Sequence, residues 1–433
     1  MTNQRTIFRN AQLADGHVVD IAVVGGNIEA IGATLDLQGT DINCEGLIAL
    51  QGLVDLHTHL REPGFEQSET ILTGSRAAAK GGFTAVHAMA NTSPVADSAA
   101  VVEQVFALGQ AAGYVHVQPI GAVTSNLEGK QLADLLKMNQ SRAGVTVFSD
   151  DGKCVSDSLL MRRALEYVKA FGGVIAQHAQ DPNLTVDAQM NEGALSFELG
   201  LTGWPQVAEE AIIARDVLLA EHVGSRLHIC HVSTAGSVET IRWAKARGIK
   251  VTAEVTPHHL ILTEDLVKDY NPLFKVNPPL RTEKDVLALR AAVADGTIDI
   301  VATDHAPHTA DSKDCEFGQA AFGMIGLETA AAVVQTTLIE TGLINWTRFQ
   351  EILSTAPAAI SGLSRHGQQL AAGNAANLTF IDPTARVIVG PESESKSRNN
   401  PYLGLELNGQ IVHTMFEGTF TVKNNQIQEI HND

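Results

Sequence analysis

Eight apolar runs, each ending in polar residues, constrain this chain more than any other feature. They occupy residues 52–60, 83–90, 114–124, 144–151, 173–180, 226–233, 250–259 and 298–307. Between most of them lie amphipathic stretches such as 98–110, 159–171, 206–221 and 236–247, with apolar residues at helical spacing. A strand that is apolar along its whole length is buried on both faces, as parallel strands covered by helices are. Eight strand–helix units within roughly 250–300 residues match the count and size of a (β/α)8 barrel of the TIM type. A doubly wound open sheet is the competing arrangement. It is weakened because no glycine-rich phosphate fingerprint follows an early strand.

The two ends of the chain keep a different rhythm. Residues 20–24 alternate, Gly25-Gly26-Asn27 follows, and 28–31 resumes the alternation, which is hairpin chemistry with glycine at the turn. At the other end, 376–381 reads as a strand, and 418–422 as another that leads into a turn at 423–425. These β-rich ends predict one small β-sandwich domain assembled from both termini. At 433 residues the chain exceeds the usual size of a single domain. The expected division is therefore 1–50 and 366–433 for the small domain, and 51–365 for an α/β catalytic barrel.

In a barrel of this kind the active site forms at the C-terminal ends of the strands, from groups that several strands contribute. The first run ends in DLHTHLREPG, residues 55–64. Residues two apart on a strand share a face, so Asp55, His57 and His59 project together, and Arg61 just beyond can meet an anion. The fourth run ends in Ser149-Asp150-Asp151-Gly152, the fifth in His178, the sixth in His231 and the eighth in Asp304-His305. Asp151 shares a face with Val147 and Ser149, and Asp150 with Phe148. His231 shares a face with Leu227 and Ile229, whereas His228 points the opposite way and reads as structural. Spacing alone leaves open whether Asp304 or His305 faces inward.

Taken singly, a histidine or aspartate at a strand end is a surface residue or a helix cap. So many metal-capable ends on one rim favour a metal site. Four histidines and two carboxylates suit two borderline divalent cations, zinc first among them. A hydroxide shared between two such metals is a nucleophile at neutral pH, because bound water ionises at a pKa of about 7. A neighbouring carboxylate can take up the proton and deliver it to a leaving nitrogen.

Charge narrows the class of ligand. The formal net charge of −19 argues against affinity for nucleic acid or an anionic membrane surface. An anionic substrate would need a local positive site. Cys44, Cys154, Cys230 and Cys315 lack CxxC spacing and read as reduced thiols. The first ten residues show no secretory pattern, and no apolar run approaches the ~18 residues of a membrane span. A cytoplasmic protein is the expectation.

The motifs HTHLREPG (57–64), FSDDG (148–152), DHAPH (304–308) and FGMIGLET (322–329) together resemble the amidohydrolase superfamily, and within it the dihydroorotases of the longer bacterial type. HxH alone is shared across the superfamily; its combination with the other motifs is specific, and the resemblance covers essentially the whole chain. It implies reversible hydrolysis of the cyclic amide of dihydroorotate to N-carbamoyl-L-aspartate in pyrimidine synthesis. By motif position, His57 and His59 would hold one zinc and His178 and His231 a second, with Asp151 bridging the two. Asp304 would ligate metal and act as general acid/base. Arg61, Asn91 and His308 match contacts to the substrate carboxylate, and Asn277 a contact to the ring. Backbone groups around Phe322 and Gly323 would complete the pocket.

The alternative for Asn91 is a cap on the next helix, and for Asn277 a turn residue before Pro278-Pro279; the motif match favours the functional role for both. Related ring-opening enzymes commonly bridge their metals with a carboxylated lysine; here Asp151 holds that place, and Lys153 falls in the loop beyond. Ala321 stands where the family often has proline. The polar stretch 308–322 is expected to be a mobile lid that excludes water. The competing functions are dihydropyrimidinase or allantoinase, whose substrates lack the carboxylate that Arg61 would meet, and an inactive scaffold for aspartate transcarbamoylase. A homodimer, and association with that transcarbamoylase, are the partner expectations beside the small-molecule substrate.

Overall fold

The computed structural model describes residues 4–430. Residues 1–3 and 431–433, the outer ends of the two expected halves of the small domain, lie outside the described residues.

Each of the eight apolar runs supplies one parallel strand. Leu53–Thr58, Phe83–Ala88 and His116–Pro119 form a three-stranded sheet. Val147–Phe148, Val174–Gln177, Arg226–Ile229, Val251–Val255 and Ile300–Val301 form a five-stranded sheet in sequence order. Single parallel bridges, Gly121 to Phe148 and Thr58 to His305, join the two sheets at both ends. Side chains of successive residues enter different apolar clusters: Ile175 packs outward with the helices, and its neighbours Val174 and Ala176 pack with Leu56, Val147 and Ile300. Burial on both faces is why these strands read as unbroken apolar runs.

The intervening helices lie where the periodicity places them, at Ala99–Ala112, Ser158–Lys169, Val207–Val223 and Ala235–Ala246. Local chemistry starts several of them. The Thr70, Asp157 and Thr234 side chains accept from Thr73 N, Leu160 N and Ser237 N, which satisfies backbone donors that the first helical turn leaves unpaired. Among the described residues no helix is long and apolar enough to cross a membrane.

Both ends of the chain join one mostly antiparallel nine-stranded sheet, eight strands following one path and Thr40–Asn43 branching from it beside Thr6–Leu13, and not two separately bonded sheets. Ile48–Gln51 pairs with Leu378–Ile388 and so stitches the ends together. Four strand spacings separate Thr6–Leu13 from Thr419–Lys423 along the ladder, about 19 Å if the sheet were flat. Yet Phe8 and Phe420 meet edge-on with centroids 5.7 Å apart, and Phe8 stacks on Phe380 at 4.4 Å. The sheet therefore curls around an aromatic core. Irregularities between Phe380 and Ile381 and between Asp382 and Arg386 bend the long strand that makes this curl. The stretch between the strands Leu378–Ile388 and Glu406–Phe416 leaves the sheet, and its buried Ser395, Ser397 and Asn399 bond to Glu69, Ser68 and Ala306 of the central unit.

Candidate metal centre and active site

The polar ends of several strands gather at one place. Asp151 lies within reach of four imidazoles. Its Oδ1 is 3.4 Å from His57 Nε2, 3.3 Å from His178 Nδ1 and 3.2 Å from His231 Nε2, and its Oδ2 is 3.3 Å from His59 Nε2. Asp304 Oδ1 approaches His59 Nε2 at 3.0 Å and His57 Nε2 at 3.5 Å. All six side chains are buried. Asp304, not His305, faces the cluster; His305 instead accepts from Gly326 N and meets Glu69. His231 and Asp304 adopt left-handed backbone at φ +32° and +46°, as does Arg61 at +63°. Such conformations are costly for these residue types and tend to collect at functional sites.

Two triads bring their ligand atoms within 4.8 Å of one another: His57, His59 and Asp151, and Asp151, His178 and His231. The nitrogen of His57 that faces them, Nε2, is buried without a hydrogen-bond partner. An orphaned imidazole nitrogen beside shared carboxylate oxygens is what a divalent cation would satisfy, so the residues present fit a metal. A third triad, His57, Cys230 and Glu254, meets the same distance limit. Its carboxylate is already taken by His57 Nδ1 at 2.6 Å and His228 Nε2 at 3.0 Å, and burial raises the Cys230 thiol far above its ordinary value. That set supports the ligands and is not a rival site.

The electrostatics are those of a cation site. Burial alone would raise the Asp304 carboxyl, but charge on His57 and the contact from His59 bring it down to about 2. Burial likewise opposes the Asp151 anion, and His57, His178 and His231 outweigh it to hold Asp151 well below the usual carboxylate range. His57 is pressed toward neutrality by burial, yet Asp151, Glu254 and Asp304 keep its pKa well above normal. These carboxylates concentrate negative charge where the imidazoles point.

Three of the four imidazoles, those of His57, His59 and His178, are held from behind, which fixes the nitrogen each presents. Glu254 holds His57 Nδ1, Asn91 Oδ1 accepts from His59 Nδ1 at 2.9 Å, and Gln180 Oε1 meets His178 Nε2 at 2.7 Å. Asn91 is thus at the metal rim and not a helix cap. Asp55, on the same face as His57 and His59, turns to Thr303 N and Oγ1 and to His57 N, and so staples the first strand to the eighth. His228 is structural as expected, bonding Glu254 and Thr252.

Sequence reasoning missed Glu254, Gln180 and His258. The signal for Glu254 is a lone carboxylate inside the apolar run 250–259. His258 is buried with Nε2 unpartnered, and burial pushes its pKa to about 4.

The other predicted residues form a second wall. Arg61 Nε donates to Pro307 O at 3.1 Å, and Nη2 is 3.4 Å from His308 Nε2. Burial lowers its guanidinium to about 10, so it remains charged. Burial and the nearby Arg61 push His308 to about 3; its Nε2 donates to Phe322 O at 2.7 Å. Asn277 Nδ2 donates to Gln180 Oε1 at 3.1 Å while its Oδ1 is buried and unpartnered. Gly323 uses both backbone groups within the protein, N to Lys275 O and O from Asn399 Nδ2. Its φ of +141°, with His308 Nε2 only 2.8 Å from where a Cβ would stand, explains the glycine. Lys153 lies in the turn beyond Asp151, as expected.

The 308–322 stretch is more structured than its lack of periodicity suggests. It carries the short helix Ala310–Lys313 and buries Lys313, Phe317 and Ala320.

Comparison with known proteins agrees with this geometry. Residues 46–237 match a family model described as dihydro-orotase-like. A dihydroorotase of Leifsonia xyli is 63% identical over 99% of this chain and 98% of its own length. One from Streptomyces coelicolor is 62% identical over 96% and 98%, and one from Mycobacterium tuberculosis 49% over 96% and 97%. Among solved structures, an L-hydantoinase (dihydropyrimidinase) from Arthrobacter aurescens superposes with a TM-score of 0.87 at 25% identity, covering 98% of both chains. A dihydropyrimidinase from Brevibacillus agri superposes at 0.84 with 22% identity, over 98% of this chain and 96% of its own. The α/β architecture is thus that of the hydantoinases, while the sequence aligns with a different set of ring-opening enzymes from end to end; the chain belongs to the dihydroorotase family.

Proposed function

We propose that this chain interconverts (S)-dihydroorotate and N-carbamoyl-L-aspartate by opening and closing the cyclic amide, a step of pyrimidine synthesis. The observation that carries this reading is the Asp151 carboxylate set among four imidazoles, with Asp304 beside them and Arg61 on the adjoining wall. On this reading the two parallel sheets, joined at both ends, are one (β/α)8 barrel with its active site at the strands' C-terminal rim.

His57 and His59 would hold one zinc ion, His178 and His231 a second, with Asp151 between them and Asp304 as a further ligand. Such cations supply a water-derived nucleophile at neutral pH and polarise the amide carbonyl. The chain's own groups do the rest. Among the described residues Arg61 bonds through Nε and Nη2 and not Nη1, so it can take the substrate carboxylate in a charge-assisted pair. Asn91, whose oxygen is held by His59, turns its amide nitrogen to the same anion. His308 joins them, and an arriving carboxylate favours its protonated form. Asn277 and the backbone at Phe322 and Gly323 bound the ring. Asp304 accepts no hydrogen bond at Oδ2 from the described residues, so that oxygen can take the proton of the attacking group and pass it to the leaving nitrogen. The 308–322 segment covers the site and limits water.

Dihydropyrimidinase activity is the second reading, because the solved structures with this fold carry that name. The Arg61–His308 pair disfavours it, since dihydrouracil and allantoin offer no carboxylate. An inactive scaffold is disfavoured because every ligand position is filled. Purified chain tested on dihydroorotate, dihydrouracil and allantoin, with metal analysis, decides. Preference for either of the latter two overturns the assignment. Self-association and binding to aspartate transcarbamoylase are proposals that sedimentation of the chain, alone and with that enzyme, will read.

A further inference from the structure

Two lysines stand out from the rest of the molecule. Lys275 and Lys313 are only 2% and 5% exposed, and among the described residues neither forms an ion pair. Their ammonium groups bond solely to backbone carbonyls: Lys275 Nζ to Phe317 O at 2.7 Å and Gly318 O at 3.0 Å, Lys313 Nζ to Lys275 O at 3.1 Å and Ala321 O at 2.8 Å. Burying a cation without a counter-ion is costly, and proteins rarely do it twice in one place.

What the bonds connect explains the cost. Lys275 lies two residues before Asn277. The carbonyls it grips belong to the 308–322 segment, which ends at Phe322 with Gly323 next in the chain. Lys313 reaches from that segment back to Lys275 O, which also accepts from Gly323 N at 3.0 Å. Lys275 Nζ further sits 4.5 Å from the centroid of the Phe322 ring, a favourable cation–π distance. The two loops are therefore cross-braced, each by a lysine from the other. Two of the proposed substrate contacts hang from one loop and one from its partner, and His308 begins the braced segment.

We propose that Lys275 and Lys313 are positioning residues that hold the substrate-contacting loops in register and add positive field behind Arg61 and His308 for an anionic substrate. In a chain of net charge −19, Lys275 and a Lys313 that burial and Lys275 lower to about 7, and so leave partly charged near neutrality, give a carboxylate a local attraction that the overall field denies it. This deepens the proposed function and rests on it for the identity of the substrate.

The test uses the full metal-loaded enzyme. Lys275→Met and Lys313→Met should each raise the KM for dihydroorotate about tenfold while kcat and metal content stay within about twofold, since binding and not chemistry is lost. Lys313→Arg, which keeps charge and donors, should recover most of the KM. Amide hydrogen exchange across 308–323, followed without substrate, should accelerate in the Met variants. Unchanged KM or unchanged exchange overturns the proposal, and so does a joint fall of kcat and metal content, which marks general damage. A wild-type chain inert toward dihydroorotate would refute the proposed function, while the exchange experiment would still decide whether the lysines brace the loops.

Discussion

At the scale of single residues, the site separates groups that do chemistry from groups that aim them. Asp304→Asn keeps a ligand oxygen and removes the group that moves the proton. The variant should retain its metal and lose turnover by a factor on the order of 10² to 10⁴; near-normal rates with full metal content would exclude the acid/base role. Glu254→Gln makes the complementary case, because Glu254 fixes the His57 ring at 2.6 Å without facing substrate. Metal affinity should weaken roughly 10- to 100-fold, read by competition with a chelator. The first of these residues was legible in the sequence only as one of a pair. Asp304 and His305 are both polar strand-end residues, and the left-handed turn that decides between them is a backbone property that no periodicity encodes. Alternation along a strand put His57 and His59 on one face and His231 opposite His228, whereas Asp151 and His178 were singled out as ligands by motif position in the resemblance. Glu254 was not, since its meaning depends on His57 and His228 on other strands.

At the scale of elements, eight strands and their helices followed from hydrophobic period alone, because burial on both faces leaves a continuous apolar signature. The curled nine-stranded sheet did not follow. Alternation predicts strands at both termini, but whether they make one bent ladder or two stacked sheets depends on bulges in Leu378–Ile388. The excursion between that strand and Glu406–Phe416 was equally silent, although it ends as a strap on the active site. Asn399 Nδ2 bonds Ala306 O and Gly323 O, and its Oδ1 accepts from His308 N. Asn399→Ala strands three backbone groups. Each such loss costs about 1–3 kcal/mol when buried, so the melting temperature should drop and the KM for dihydroorotate should rise; a variant matching wild type in both would show the strap to be dispensable. Shortening the segment between His308 and Phe322 should lower turnover by roughly an order of magnitude if it shields the reaction from water. Unchanged kinetics would dismiss it as a cover.

At the scale of the whole molecule, buried histidines make acid stability a measurable property of the fold. Burial pushes His87 to about 4, His366 to about 3 and His413 to about 4. Free imidazole titrates near 6.5, at about which pH the unfolded chain begins to bind protons that the folded one excludes. Stability should therefore fall as pH is lowered from about 6.5 toward 4, and fall further below that as the depressed carboxyls of Asp151 and Asp304 take up protons. Thermal melts across that range should show the decline, and His366→Gln should make it shallower; a flat profile would mean that these rings are open to water. The pairing of the chain's two ends in one sheet has a further consequence in time. Strand Ile48–Gln51 pairs along one edge with the early strand Thr6–Leu13, but its other edge is met by Leu378–Ile381, more than three hundred residues later. At roughly 5–20 residues per second, a ribosome would leave that edge unpaired for on the order of half a minute. During synthesis the opening strands of this chain are thus an exposed template, and chaperone demand should track the speed of translation more than the stability of the finished enzyme.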